Sequence, residues 1–457
     1  MNTSRVYTIC AAAIALAAAC TESTAPATPP RAFVVRPDSV RLVVNGSLPI
    51  VGLRLRSPGG YRVDSSATWT ALGPLVATVT PAGVVTAVDT GTAIVVGSDS
   101  AGSDSTVVTV ERPVFADISA NNSGYTCATA TTGRVFCWGA NDYGTFGTGS
   151  SLSAVRSPAG VYGASHIAAV HAADYQACAL TTAGSALCWG AGRYGQYATD
   201  SSAAGLPTIV QGGPQFATIG AGAIHGCGLA ADHAAWCWGS NEEGQLGVPA
   251  ATASAAHPVP VATSLRFTTI SVGFAHTCGL TADSLAYCWG GGVYGTIGDG
   301  ADSARHAPTP VAGGHKFIAI AAGGVGTCAL TAAGAAWCWG SNQYGELGDS
   351  TRTQRDAPVA VHGGITFDHI AMGWNLTCGL SSGAAFCWGN NLDGQVGDGT
   401  IEEFRGTPQP VSGGLTFAQV SPGGFHTCGL TTGAVAYCWG ATVDTTSAAP
   451  VPVPGQP

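Results

Sequence analysis

The tripeptide Cys-Trp-Gly occurs seven times in this chain. It stands at Cys137-Trp138-Gly139, Cys188-Trp189-Gly190, Cys237-Trp238-Gly239, Cys288-Trp289-Gly290, Cys338-Trp339-Gly340, Cys387-Trp388-Gly389 and Cys438-Trp439-Gly440. The tryptophans follow one another at steps of 51, 49, 51, 50, 49 and 51 residues. Self-similarity at a fixed period of this length marks a solenoid or a propeller, in which each unit buries its apolar faces against its neighbours.

Each unit divides into four β-patterned pieces. In the fourth unit these are the Pro-rich run His257-Pro258-Val259-Pro260-Val261, a piece with the apolar pair Phe267 and Ile270, a piece with Cys278 and Leu280, and Tyr287-Cys288-Trp289-Gly290. Four strands per period of this length is a propeller blade. The expected fold is therefore all-β, a seven-bladed propeller over residues 113–457. Composition agrees. Charged residues make up only 9% and glycine numbers 66, as suits Gly-punctuated strands buried on both faces. Net charge is −9 with no Lys/Arg cluster, which argues against nucleic acid, because phosphate neutralisation needs grouped cations. With the Pro-rich run read as the first strand of each unit, unit 1 lacks one and the C-terminus has a spare. The expectation is that Val451 and Val453 pair with the first blade near Phe115–Ile118 and fasten the ring.

Fourteen of the sixteen cysteines form seven local pairs: Cys127 with Cys137, Cys178 with Cys188, Cys227 with Cys237, Cys278 with Cys288, Cys328 with Cys338, Cys378 with Cys387, and Cys428 with Cys438. A turn lies midway in each. An antiparallel hairpin centred there sets the two cysteines opposite each other, within reach of a disulfide. The alternative, zinc, calls for C-x2-C spacing and four converging ligands. Each disulfide closes a short loop, contributing about 2–3 kcal/mol.

The other two cysteines, Cys10 and Cys20, belong to the first twenty residues. Arg5 precedes an apolar run from Ile9 to Ala19, too short to span a bilayer and of the right length for a signal-peptide core. Ala17-Ala18-Ala19 before Cys20 resembles a bacterial lipoprotein cleavage site, which implies a signal peptide over residues 1–19 and a lipid on Cys20. Thr21 follows where Asp would suggest inner-membrane retention, so the resemblance implies outer-membrane or surface placement. Such an anchor tethers without spanning. Ordinary secretion with cleavage near Ala19 is the alternative. Residues 20–32 are polar and Pro-rich and read as a spacer. Residues 33–112 show short β runs between turn signals, which suggests a separate small β-sandwich with Trp69 at its centre. The run from Ala67-Thr68-Trp69 through Gly83-Val84-Val85-Thr86-Ala87-Val88 to Gly91-Thr92-Ala93 resembles the bacterial immunoglobulin-like domain, group 2, a surface spacer or adhesin module.

The units themselves carry a family resemblance. Gly273-Phe274-Ala275-His276-Thr277-Cys278-Gly279-Leu280 and Cys338-Trp339-Gly340-Ser341-Asn342-Gln343-Tyr344-Gly345-Glu346-Leu347-Gly348 resemble the repeat of the regulator of chromosome condensation family. The resemblance implies a seven-bladed propeller. The family's eukaryotic founding member is a guanine-nucleotide exchange factor that works through a wedge inserted in one blade. No unit here is longer than its fellows by more than two residues, and an exported chain does not meet cytosolic GTPases, so exchange is not the expected activity. A secreted β-lactamase inhibitor of this fold, which binds its target through loop aromatics, is the closer analogy.

No catalytic constellation, cofactor motif or metal set stands out. There is no Gly-x-Ser-x-Gly elbow, no phosphate loop and no repeat-breaking carboxylate pair. His225, His276 and His426 recur two residues before a cysteine and read as structural. Of Glu242, Glu243, Asp299, Asp349, Asp393 and Asp398, most read as solvated turn formers. What varies is the loop before the first cysteine of each unit, with Tyr175, Ile224, Phe274, Trp374 and Phe425. Propeller symmetry places these loops around one rim, and clustered exposed aromatics mark interfaces. A second set, Tyr143, Tyr194, Tyr294 and Tyr344, follows the Trp-Gly by four residues. The expected function is non-enzymatic binding of a protein partner at the rim. The alternative is a glycan, since aromatic platforms also stack on sugars.

Overall fold

The computed structural model describes residues 33–56, 60–148, 154–191, 205–443 and 445–457. Residues 1–19, Cys20, the spacer to residue 32 and Tyr194 lie outside them.

From Phe115 onward the chain forms seven four-stranded antiparallel units. Unit 4 shows the plan: Phe267–Val272, His276–Thr281, Ala286–Gly290 and Arg305–Pro310, each paired with the next. The second and third strands are buried on both faces, because neighbouring units cover both sides. In every unit the two cysteines pair opposite each other, joined by a disulfide with Cα atoms 4.0–4.1 Å apart. The glycine of each Cys-Trp-Gly has a φ between +92° and +116°. A Cβ on Gly290 would also come 2.6 Å from the Ala275 carbonyl, so the motif requires glycine for conformation and for space.

The tryptophan of each motif reaches the preceding unit. Trp189, Trp289 and Trp339 donate their indole N–H to the carbonyls of Thr145, Gln245 and Thr296, at 2.7, 3.1 and 3.0 Å. Those carbonyls lie in the turn after the preceding unit's Trp-Gly, whose apolar residue (Phe146, Leu246, Ile297, Leu347 or Val396) is fully buried. A single apolar turn thus caps the next unit's indole.

The Pro-rich strand is the fourth strand of its unit, not the first of the next. Ser254–Pro260 pairs with Ala235–Ser240, with Pro260 opposite Trp236. Proline has no N–H to donate, which makes it tolerable on an edge strand with one side unpaired. The C-terminal run is accordingly not spare. Thr446–Pro452 completes unit 7, with Val451 opposite Cys438 and Pro452 opposite Tyr437. Val451 and Val453 do not pair with the first unit; Val453 packs by its side chain in the same cluster as Phe115 and Ile118.

Residues 33–112 form three small sheets, and the region is docked rather than separate. Its strand Ser39–Val43 meets the outer strand of unit 1 at Leu42 and Ala159, so one eight-stranded sheet runs through both. Glu111 accepts hydrogen bonds from Arg41 at 2.6 Å and from Arg134 of unit 1. Val43 packs with Phe115 and Val453, and a Cβ on Gly455 would lie 2.3 Å from its methyl. Trp69 is not the centre of this region. Val35, Val85, Val95 and Val108 are fully buried, whereas Trp69 is half-buried, its ring bedded on Gly83 and Gly97.

Candidate functional site

The turn between the first and second strands places the variable loop. In each unit one residue closes that turn by donating its amide to the carbonyl at the start of the second strand: Asn121, Ala173, Gly222, Gly273, Gly323, Gly373 and Gly423. These seven small or amide residues form an iris. A Cβ on Gly273 would come 2.5 Å from the Gly323 carbonyl, on Gly323 2.4 Å from that of Gly373, on Gly373 2.2 Å from that of Gly423, and on Gly423 2.1 Å from that of Asn121. Hydrogen bonds run the same way: Phe274 N to Gly323 O at 3.1 Å, Gly324 N to Gly373 O at 2.8 Å and Gly424 N to Asn121 O at 3.3 Å. The Asn121 amide donates to Ala173 O at 2.9 Å, and that of Gln176 to Gly222 O at 2.8 Å. The last unit thereby meets the first.

Residues from all seven units line one cavity of about 90 Å³ at the iris. At the position after the iris residue, Asn122, Asp174, Ala223, Phe274 and Gly324 line it, and the equivalent Trp374 and Gly424 pack on Phe274 and Gly324 and on Asn122 at its mouth. Phe274 and Trp374 meet edge to face with centroids 4.8 Å apart, and Trp374 lies over Gly324, where a Cβ would strike its ring at 2.5 Å. The glycine of unit 5 therefore lets aromatics of units 4 and 6 touch.

The five rim candidates thus fall into two sets. Phe274 and Trp374 stand at the mouth. Tyr175, Ile224 and Phe425 are one position further along and do not join that pair. Tyr175 packs edge to face on Tyr143 of unit 1 at 4.9 Å. Ile224 is half-buried, and Phe425 is 53% exposed.

Asp174 is the mouth residue that sequence reading passed over. It is 6% exposed, Asn122 lies beside it, and its Oδ1 is buried with no hydrogen-bond partner. Burial pushes its carboxyl up to about 6. The signal lay in units 1 and 2, the two that put Asn121 and Ala173 where the other units have glycine.

The three recurrent histidines are inter-unit ties. His225 Nε2 lies 2.8 Å from Thr277 Oγ1, His276 Nε2 2.9 Å from Thr327 Oγ1, and His426 Nε2 2.7 Å from Thr126 Oγ1. Burial pulls their pKa values down to about 3, 4 and 4, so they are neutral at pH 7. Three of the turn acids are not solvated either: Asp299, Asp349 and Asp398 pair with Arg305, Arg355 and Arg405 of the outer strand at 2.6–2.8 Å. Among the described residues no three His, Cys, Asp or Glu side chains are grouped to hold a metal.

The chain is thus an all-β protein of propeller-like repeats. Models of the regulator of chromosome condensation (RCC1) repeat match residues 132–180, 232–280, 283–330, 333–380 and 382–430, and a second RCC1 repeat model matches 115–145, 216–245, 267–296 and 317–346. With more than half of its length matched, the chain belongs to the RCC1 repeat family. Its fold is similar to that of human WBSCR16, with a TM-score of 0.63 and 18% identity over 72% of this chain and 89% of that one. Yeast RCC1 (Prp20), in its complex with Kap60, has a TM-score of 0.63 and 19% identity over 74% and 85%. Prp20p from Saccharomyces cerevisiae, described with its binding to Gsp1p and histones, has a TM-score of 0.62 and 19% identity over 74% and 87%. At these identities the likeness speaks for the fold alone. Comparison with curated protein sequences gave no match.

Proposed function

We propose that the seven units close into a seven-bladed propeller whose mouth face binds a protein partner without catalysis. The bonds that tie unit 7 to unit 1 support closure: Gly424 to Asn121, Ser421 Oγ accepting from Ala120 N at 2.9 Å, and His426 to Thr126. Residues 33–112 serve as an immunoglobulin-like module between the ring and a lipid on Cys20, which holds the exported protein at the bacterial cell surface.

The observation that carries the binding face is the Phe274–Trp374 pair, held at the mouth by the bare Gly324 backbone and joined on the same face by exposed Phe425. Aromatic anchors near the centre of a face are where binding energy concentrates. The likeness to yeast RCC1, solved with a protein bound, adds support for the fold as a protein-binding scaffold.

The test is affinity capture from envelope and secreted extracts, with the mature protein beside a Phe274→Ala/Trp374→Ala variant of unchanged thermal stability. A protein captured by the first bait and reduced at least tenfold on the second is the expected result. Equal capture by both refutes the mouth as the binding face. Capture of a glycan alone moves the reading to the carbohydrate alternative.

A further inference from the structure

The mouth is apolar on one side and acidic on the other. Ala223, Phe274 and Trp374 form the first side, Asn122 and Asp174 the second. Among the described residues, Asp174 is the one charged residue in the cavity lining, and no lysine, arginine or histidine lines it. A buried carboxylate with one oxygen unpaired is costly to keep. Asn122 beside it offsets part of that cost, and Oδ1 has no hydrogen-bond partner among the described residues. The raised pKa of Asp174 agrees with a carboxylate that lacks a counter-charge.

The cavity limits what can supply one. At about 90 Å³ it is far smaller than the roughly 300 Å³ at which pockets for whole small-molecule ligands begin. A sugar ring with its neighbours does not fit; a single side-chain end does. A divalent cation of the calcium type takes six to eight oxygens, and here the lining offers one carboxylate, while iris carbonyls such as those of Asn121, Ala173, Gly323 and Gly373 are already engaged by amides from adjacent units. A protein of net charge −9 also favours a basic partner.

We propose that the axial well receives a lysine or arginine side chain of the protein partner. Its cationic head sits on Asp174 Oδ1, its stem runs along Ala223, and the partner backbone above it rests against Phe274 and Trp374. Aromatic faces at the mouth add attraction to the passing cation. The inference rests on the reading of this face as a protein-binding surface, and it names the chemistry of the residue that enters.

The test uses the full mature protein and three probes: Nα-acetyl-lysine amide, Nα-acetyl-arginine amide and Nα-acetyl-norleucine amide, which keeps the stem and lacks the charge. Binding is followed by chemical-shift changes of the Asp174 backbone and the Trp374 indole N–H. One of the cationic probes is expected to saturate, with norleucine at least tenfold weaker. Asp174→Asn, which keeps the shape and removes the charge, is expected to weaken the cationic probe at least tenfold while its thermal midpoint does not fall. Equal binding of norleucine, or unchanged binding by Asp174→Asn, overturns the inference. So does the absence of a saturating shift with either cation. None of these outcomes touches the reading of the face itself, which is scored by partner capture on the aromatic variant.

Discussion

Acidification from pH 7 to pH 5 is expected to destabilise the repeat units through their buried histidines. His225, His276 and His426 are held neutral, with pKa values lowered by burial to about 3, 4 and 4. In the unfolded chain an imidazole titrates near 6.5. Below that value the unfolded state binds protons that the native state refuses, so stability is fully present above pH 6.5 and is lost as pH falls toward the native values. Between pH 7 and pH 5 the linkage relation gives a loss of about 2 kcal/mol for each histidine, or roughly 6 kcal/mol for the three. His171 and His369, also lowered by burial, act in the same direction. Asp174, raised to about 6, opposes it by about 1 kcal/mol, because its native form takes up a proton in this window. Glu346 and Asp393, also raised by burial, oppose it as well.

The assay is urea unfolding at pH 7, 6 and 5 under non-reducing conditions, with the wild type and His276→Gln. Glutamine keeps a donor for Thr327 and cannot titrate. The wild type is expected to lose several kcal/mol, and the variant about 2 kcal/mol less over the same interval. A wild-type stability that is flat from pH 7 to pH 5, or a variant with the same slope, refutes the assignment of these residues as neutral inter-unit ties.

Removing one disulfide, as in Cys328→Ala/Cys338→Ala, is expected to cost about 3 kcal/mol for a loop this short, read from denaturant midpoints. Gly373→Val places a side chain where even a Cβ would lie 2.2 Å from the Gly423 carbonyl, so a loss of about 1–3 kcal/mol or more is expected from overpacking at the iris. Val43→Ala is expected to speed amide exchange at Ile118 and Val420, on the two sides of the junction between units 7 and 1, because Val43 packs with Phe115 and Val453 beside that junction. Exchange faster only within residues 33–112 would contradict that clasp.

The repeat was legible because covalent and steric demands repeat with it. A cysteine pair across a hairpin, a tryptophan under the preceding unit's turn and a glycine at positive φ leave marks at fixed spacing. Strand assignment was less legible. Val259 and Val451 alternate like any strand residue, and the backbone pairing that makes theirs the last strand of a unit rests on partners well back in the chain, Cys237 and Cys438. Phe274 and Trp374 differ from Tyr175, Ile224 and Phe425 by one position in a turn, which decides between the mouth and its surround. Unit 1 carries one extra residue in that turn, so only the amide bonds show that Asn122 and Asp174 are equivalent. Asp349 and Arg355 sit six residues apart, a spacing that says nothing until the outer strand folds back. The docking of residues 33–112 is equally silent in sequence, because Leu42 and Val43 read there as ordinary apolar strand residues, and only the structure shows Val43 packed on Phe115 and Val453.

The proposed binding places the partner on the mouth face and not on the opposite one. Site-specific photo-crosslinking in intact cells tests it most directly. A photoreactive phenylalanine analogue at Phe425 stands on the mouth face; the same analogue at Ala333, in the turn between the second and third strands of unit 5, stands on the other. Both positions are exposed. One discrete adduct is expected from position 425, abolished by Phe274→Ala/Trp374→Ala, and none from position 333. The same adduct from position 333, with none from position 425, would contradict it.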